Sequence, residues 1–197
     1  SYDTAADNYD ALFFCRTLRR FYMNIEELYL KRQSTRKYSE KPVADETLEK
    51  VCRLGALAPS AKNSQPWKMF TINGEKAKKF APCVQMFGAN KWTNSCPAFI
   101  VLQLNRSKME EKIAEKFTFA DFSGNDIGLL TAYIVLAAED MGLQTCILGI
   151  RDEKAIAEFL GEPEGTHYPL SLPRAMPKRA IPYAKRTENP STRYSSL

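Results

Sequence analysis

The sequence predicts an α+β fold, with helices outnumbering strands in a layered arrangement. Three observations carry this. "AFIVLQL" (98–104) is an almost uninterrupted apolar run, the pattern of a strand covered on both faces. "NDIGLLTAYIVLAAEDMGL" (125–143) keeps a helical period through Ile127, Leu130, Ile134, Ala137, Ala138 and Met141. The chain has 197 residues, 44% of them hydrophobic, which suits one domain with a substantial core.

In chain order, Phe14, Leu18, Phe21 and Ile25 recur at helical spacing and predict an amphipathic helix seeking a partner surface. Residues 1–23 read as an N-terminal extension, either that helix or a tag remnant, ahead of a single domain over 24–197. The start is acidic with only a short apolar run, unlike a signal peptide. "NIEELYLKRQ" offers Asn24 as an N-cap with Glu27 three residues later. A helix is expected over 45–57, burying Leu48, Val51, Cys52 and Leu54. "WKMFTI" reads as a strand, Asn73-Gly74 as a turn and "EKAKKFA" as a helix. In the long helix, Asp126 stands in the first turn, and Leu129, Tyr133 and Leu136 extend the apolar surface far round the cylinder. "TCILGI" reads as a short strand and "DEKAIAEFLG" as a capped helix closed by Gly161. Proline-rich extended pieces follow.

Charged residues make up 26% of the chain, its longest apolar stretches are far too short to span a bilayer, and a disordered composition is excluded. The five cysteines, Cys15, Cys52, Cys83, Cys96 and Cys146, are irregularly spaced. That argues against a disulfide framework or zinc and for a reducing cytoplasm. The net charge of +5 is concentrated in "LKRQSTRKY" (30–38) and in the tail from Arg174. These clusters could converge on one anion or stand as solvated surface.

The sequence lacks GxGxxG and GxxxxGK[ST]. Its single histidine, His167, reads better as a surface or packing residue than as a catalytic base. Anion and amide chemistry remain. Arg32, Ser34 and Arg36 fall at i, i+2 and i+4, so in an extended segment they share one face, two guanidinium forks flanking a hydroxyl. That is a phosphate cradle, although a charged helix end in water would show the same residues. "APSAKNSQPW" (58–67) adds Ser60, Asn63 and Gln65, whose donors and acceptors suit the edge of a uracil-like ring. Pro59 and Pro66 stiffen the loop and Trp67 anchors it. Cradle and loop together suggest a phosphorylated flat heterocycle.

"KRQSTRKYSEKPV…LAPSAKNSQPWKMF" resembles the N-terminal signature of the nitroreductase-like FMN flavoproteins, an RRSxRxF-type segment, a helix and a PSxxNxQPW-type loop. "NDIGLLTAYIVLAAEDMGLQTCILGI" is similar to that family's central helix and following strand, and the resemblance covers roughly 24–194. It implies a central, mostly antiparallel sheet flanked by helices in an intertwined homodimer, with FMN at the subunit interface. Position by position, Arg32, Gln33, Ser34 and Arg36 match phosphate- and ribityl-side contacts. Pro59, Ser60, Asn63 and Gln65 match the loop reaching the ring from the partner subunit. Ile147, Leu148 and Gly149 match the strand end beside the flavin's N5 edge. Lys185 and Arg186 match the cationic pair of the tail, with Lys178 and Arg179 as rivals and Ala175 where the family has glycine. Lys91 sits near an occasional flavin contact.

The activity so implied is FMN-dependent transfer of electrons from NAD(P)H to a nitroaromatic, a quinone or a similar flat acceptor, with no catalytic side chain and no metal. A specialised flavin reaction of the same fold, dehalogenating or flavin-fragmenting, would need a lid. The stretch 105–125 is the candidate, and its Phe117, Phe119 and Phe122 could cover the flavin or pack beneath it. A flavin-binding protein without turnover and a basic nucleic-acid-binding module are the other readings. The last lacks any recognisable motif, so the expected partners are a second copy of the chain and a small aromatic substrate, with neither nucleic acid nor membrane.

Overall fold

The computed structural model describes residues 24–39, 41–117 and 121–175, with 170–175 as backbone. The expected helix of the N-terminal extension up to residue 23, Phe119 and the cationic tail beyond residue 175 lie outside them. Helix α1 (Ile25–Lys31) is capped as expected, the Asn24 side chain accepting from the Glu27 amide. Helix α2 spans Asp45–Gly55 and buries Leu48 and Val51, with Cys52 and Leu54 half-buried. Strand β1 (Trp67–Asn73) and helix α3 (Glu75–Phe80) follow, then β2 (Ala98–Leu104) and helix α4 (Lys108–Lys116). Helix α5 runs Ser123–Asp140, β3 is Gln144–Thr145, α6 is Glu153–Leu160 and β4 is Leu170–Ala175.

The sheet has the order β1-β2-β4-β3, and each of its three pairings is antiparallel. The apolar run of β2 is explained by its central place. Phe99 and Val101 point into one core with Ala77, Phe80, Ile156 and Tyr168. Ala98, Ile100 and Leu102 point into the other, with Leu48, Val51, Leu130 and Ile134 of α2 and α5. A strand that feeds two cores has no solvent face and no polar alternation. Edge-on aromatic contacts from Phe80 to Phe99 at 5.0 Å and to Phe159 at 5.3 Å knit the first core. In the second, α2 lies so close on α5 that a side chain at Gly55 would overlap Ile134.

Two elements differ from the sequence reading. "TCILGI" is a strand only at Thr145, because β3 meets β4 at Gln144–Ala175 and Thr145–Arg174 and then parts from it. Conversely, the proline-rich stretch contains β4. Pro173, which has no N–H to donate, pairs with Phe99 on one side only, since β3 does not reach it on the other. Helix α5 begins two residues earlier than expected and ends at Asp140, where Gly142 (φ 74°) turns the chain left-handed and Leu143 N–H closes onto Ala138 O at 2.8 Å.

Candidate functional site

The basic segment is extended because α1 ends at Lys31, and the backbone of its C-cap Arg32 already has β geometry (φ −62°, ψ 123°). Ser34 then forms a parallel bridge with Thr145. The Thr35 amide donates to Thr145 O at 3.0 Å, and the Thr35 hydroxyl donates to Gln144 Oε1 at 2.8 Å. These bonds fix the alternation. Thr35 is buried and Ser34 and Arg36 are exposed, while Arg32 is half-buried with its Nη1 enclosed. Tyr38 is buried and donates to Thr35 O at 2.5 Å, with burial pushing its phenol far up. Burial also raises the Cys146 thiol against the opposing pull of Arg36, a hydrogen bond from Ser34, and Arg32. Gln33 Nε2 and Thr145 Oγ1 are buried here with no hydrogen-bond partner among the described residues.

The stretch Ile147–Gly149 leaves β3 beside this segment. Cys146 and Leu148 turn into the core while Ile147 and Gly149 face outward. Arg151 braces the turn, donating to Gly149 O at 2.5 Å and to Glu153 Oε1. His167 is surface-exposed, as its sequence context suggested, and its Nδ1 lies 2.9 Å from Glu153 Oε1. Burial would raise the Glu153 carboxyl, but hydrogen bonds from Arg151 and His167 outweigh it and hold it below its ordinary value.

The amide loop is built differently. Lys62, Asn63 and Gln65 all have positive φ, near 50°, an arrangement that non-glycine residues keep only when their surroundings enforce it. The enforcement is local and visible. Ser60 Oγ accepts from the Gln65 amide at 3.0 Å, Gln65 Nε2 donates to Asn63 Oδ1 at 3.0 Å, and Asp126 Oδ1 accepts from the Ala61 amide at 3.0 Å. Pro66 and Trp67 are buried, which anchors the far end, while Pro59 and Asn63 remain exposed. A cavity between this loop and α4 is lined by Ala61, Pro66, Arg106, Ile113, Phe122 and Asp126. Helix α4 buries no residue fully, and Phe117 and Phe122 are both partly exposed.

The two halves are separated by helix α5. The loop is tied to Asp126 in its first turn, whereas Lys31, at the root of the basic segment, pairs with Glu139 in its last turn. Thirteen residues of helix at 1.5 Å each put these anchors about 20 Å apart. The structure thus brings Arg32, Gln33, Ser34 and Arg36 together with Ile147, Leu148 and Gly149, and sets Pro59, Ser60, Asn63 and Gln65 at the other end. Lys91 is exposed at the start of a separate 3₁₀ turn. Lys178, Arg179, Lys185 and Arg186 lie outside the described residues. Sequence reasoning took Asp126 only for a first-turn acid and overlooked Glu139, whose carboxylate is hidden inside an apolar helical pattern.

The family model for the nitroreductase family matches residues 29–87 and 84–172, taking in both halves of this arrangement. The chain belongs to the nitroreductase family. A protein of Archaeoglobus fulgidus, provisionally named an NADH dehydrogenase/NAD(P)H nitroreductase, is 33% identical to this nitroreductase-family chain over 137 residues, 68% of the chain and 74% of that protein. An FMN reductase [NAD(P)H] of Bacillus subtilis is 28% identical over 127 residues, 59% of the chain and 50% of that protein. The FMN-dependent nitroreductase of Clostridium difficile R20291 has the same fold, with a TM-score of 0.69 at 20% identity, covering 88% of this chain and 100% of that one. Among the described residues, no group of His, Cys, Asp and Glu could hold a metal ion, and no helix is long and apolar enough to cross a membrane.

Proposed function

We propose that this nitroreductase-family protein is an FMN-dependent oxidoreductase that takes electrons from NAD(P)H and passes them to a flat acceptor such as a nitroaromatic or a quinone. The observation that carries the reading is the pairing of an exposed guanidinium–hydroxyl face with a strained amide loop, in a chain whose relatives include an FMN reductase and an NADPH-flavin oxidoreductase.

The residues fit FMN. Arg32, Ser34 and Arg36 offer charge-assisted donors to a phosphate. Gln33 Nε2 and Thr145 Oγ1, buried without a partner among the described residues, are polar groups that ribityl or phosphate oxygens would satisfy. Ile147–Gly149 would run along one ring edge, and Ser60 and Asn63 would supply donors and acceptors to the other. When bound, FMN supplies the two-electron chemistry, so the chain needs no general acid or base of its own. The chain's part is to bind, orient and shield the ring, and Lys185 and Arg186 are proposed to add charge at the phosphate.

The separation of about 20 Å along α5 favours a site completed by a second copy of the chain. Leu129 and Tyr133 of α5 are about 40% exposed, as is Ile147, and Leu57 is 71% exposed. Apolar surface of this kind, running past both half-sites, suits an intertwined homodimer that joins the cradle of one subunit to the loop of the other.

The test is the visible spectrum of purified, dialysed protein before and after anaerobic NADH or NADPH. A yellow protein that bleaches supports the reading, and a colourless protein that takes up no added FMN contradicts it.

A further inference from the structure

Glu139 meets Lys31 at the root of the basic segment. It stands one residue before the end of α5, is 1% exposed, and holds its Oε1 4.0 Å from Lys31 Nζ. Its Oε2 is buried with no hydrogen-bond partner among the described residues. The position is unfavourable on two counts. Burial penalises an ionised carboxylate, and the C-terminal turn of a helix repels negative charge. Helix α5 has no basic residue in its last turn to offset this. The compensation comes from outside the helix. Burial raises the Glu139 carboxyl, while Lys31 and Arg32 draw it back down.

Those two residues are the last of α1 and its C-cap, the point where the chain turns from helix to extended segment. The middle of that segment is already held, through Thr35, by Gln144 and Thr145. Its root meets Glu139 through Lys31.

We infer that Glu139 is a positioning residue for phosphate recognition: it draws Lys31 and the root of Arg32 against the end of α5, so that the segment 32–36 starts from a fixed point and holds its extended course before an anion arrives. This role rests on the FMN reading above. Preorganisation of this kind improves affinity by reducing what must be ordered on binding. It also offsets the mutual repulsion of neighbouring cations while the cradle is empty.

FMN and riboflavin share the ring and differ in the phosphate, so together they isolate this role. Flavin-free full-length protein is titrated with each flavin by fluorescence, as wild type, Glu139→Gln and Glu139→Asp, with circular dichroism to verify folding. Glu139→Gln is expected to weaken FMN binding about tenfold while leaving riboflavin within about twofold, as supporting residues behind a binding group commonly do. Glu139→Asp, which keeps the charge on a shorter arm, restores part of the preference. Equal weakening for both flavins would mark Glu139 as merely structural. Unchanged or tighter FMN binding would mark it as a passive counter-charge. Either result overturns the inference. If Glu139→Gln does not fold, Lys31→Met is expected to show the same selective loss of FMN, and an unchanged FMN preference overturns the role. Folded wild type that binds neither flavin overturns the FMN reading, and the positioning role with it.

Discussion

The main-chain amide of Ala61 donates to Asp126 Oδ1 at 3.0 Å, tying the amide loop to the first turn of α5. Asp126 is 4% exposed, so the bond is sheltered from water. Because the next residues hold three positive φ angles, the loop depends on external anchors to keep its shape. Asp126→Ala should destabilise the fold by about 1.5–3 kcal/mol, the usual worth of a hydrogen bond to a charged group. Asp126→Asn, which keeps an acceptor, should cost less. Urea unfolding of both variants checks the order.

Gly55 owes its place to packing. A β-carbon there would overlap Cγ1 of Ile134, a β-branched residue on α5 with little rotamer freedom. Gly55→Ala should therefore cost about 1–3 kcal/mol, despite alanine's better helix propensity. If the melting temperature rises instead, the α2–α5 contact is looser than described.

Glu139 makes a prediction about pH. Its carboxyl is raised above the ordinary value by burial, with Lys31 and Arg32 opposing. A raised folded pKa gives a contribution that is full below the unfolded value and lost as pH rises through the folded one. The stability of wild type relative to Glu139→Gln should therefore fall as pH increases from about 4, where an ordinary glutamate begins to ionise. Urea midpoints across a pH series read this directly. A difference that is flat or grows with pH would contradict the burial argument.

How much of this the sequence disclosed depends on the range of the interaction. Helix α5 is legible from its period and strand β2 from its unbroken apolar run, and both signals are local. The proposed cradle rests on a spacing, since an extended backbone sets Arg32, Ser34 and Arg36 at alternate positions. The alternation itself is set by Thr35 reaching Gln144, 109 residues away, which no local pattern announces. Strand β4 was obscured by Pro173, which is tolerated because β3 stops short of it. Glu139 was obscured by its apolar neighbours, and Asp126 by an ordinary first-turn role. Each shows its contacts only through a partner distant in sequence.

The central claim is that each site joins the cradle of one subunit to the loop of another, and subunit mixing tests it most directly. One variant carries Ser34→Ala with Arg36→Ala, and a second, differently tagged, carries Ser60→Ala with Asn63→Ala. Each alone should retain little FMN. Co-expressed with random pairing, half the dimers are mixed, and each mixed dimer holds one wholly intact site, so about a quarter of wild-type FMN content should return. If cradle and loop of a single chain served the same flavin, no site in the mixture would be intact. Flavin content no higher than in the separate variants would then contradict the account.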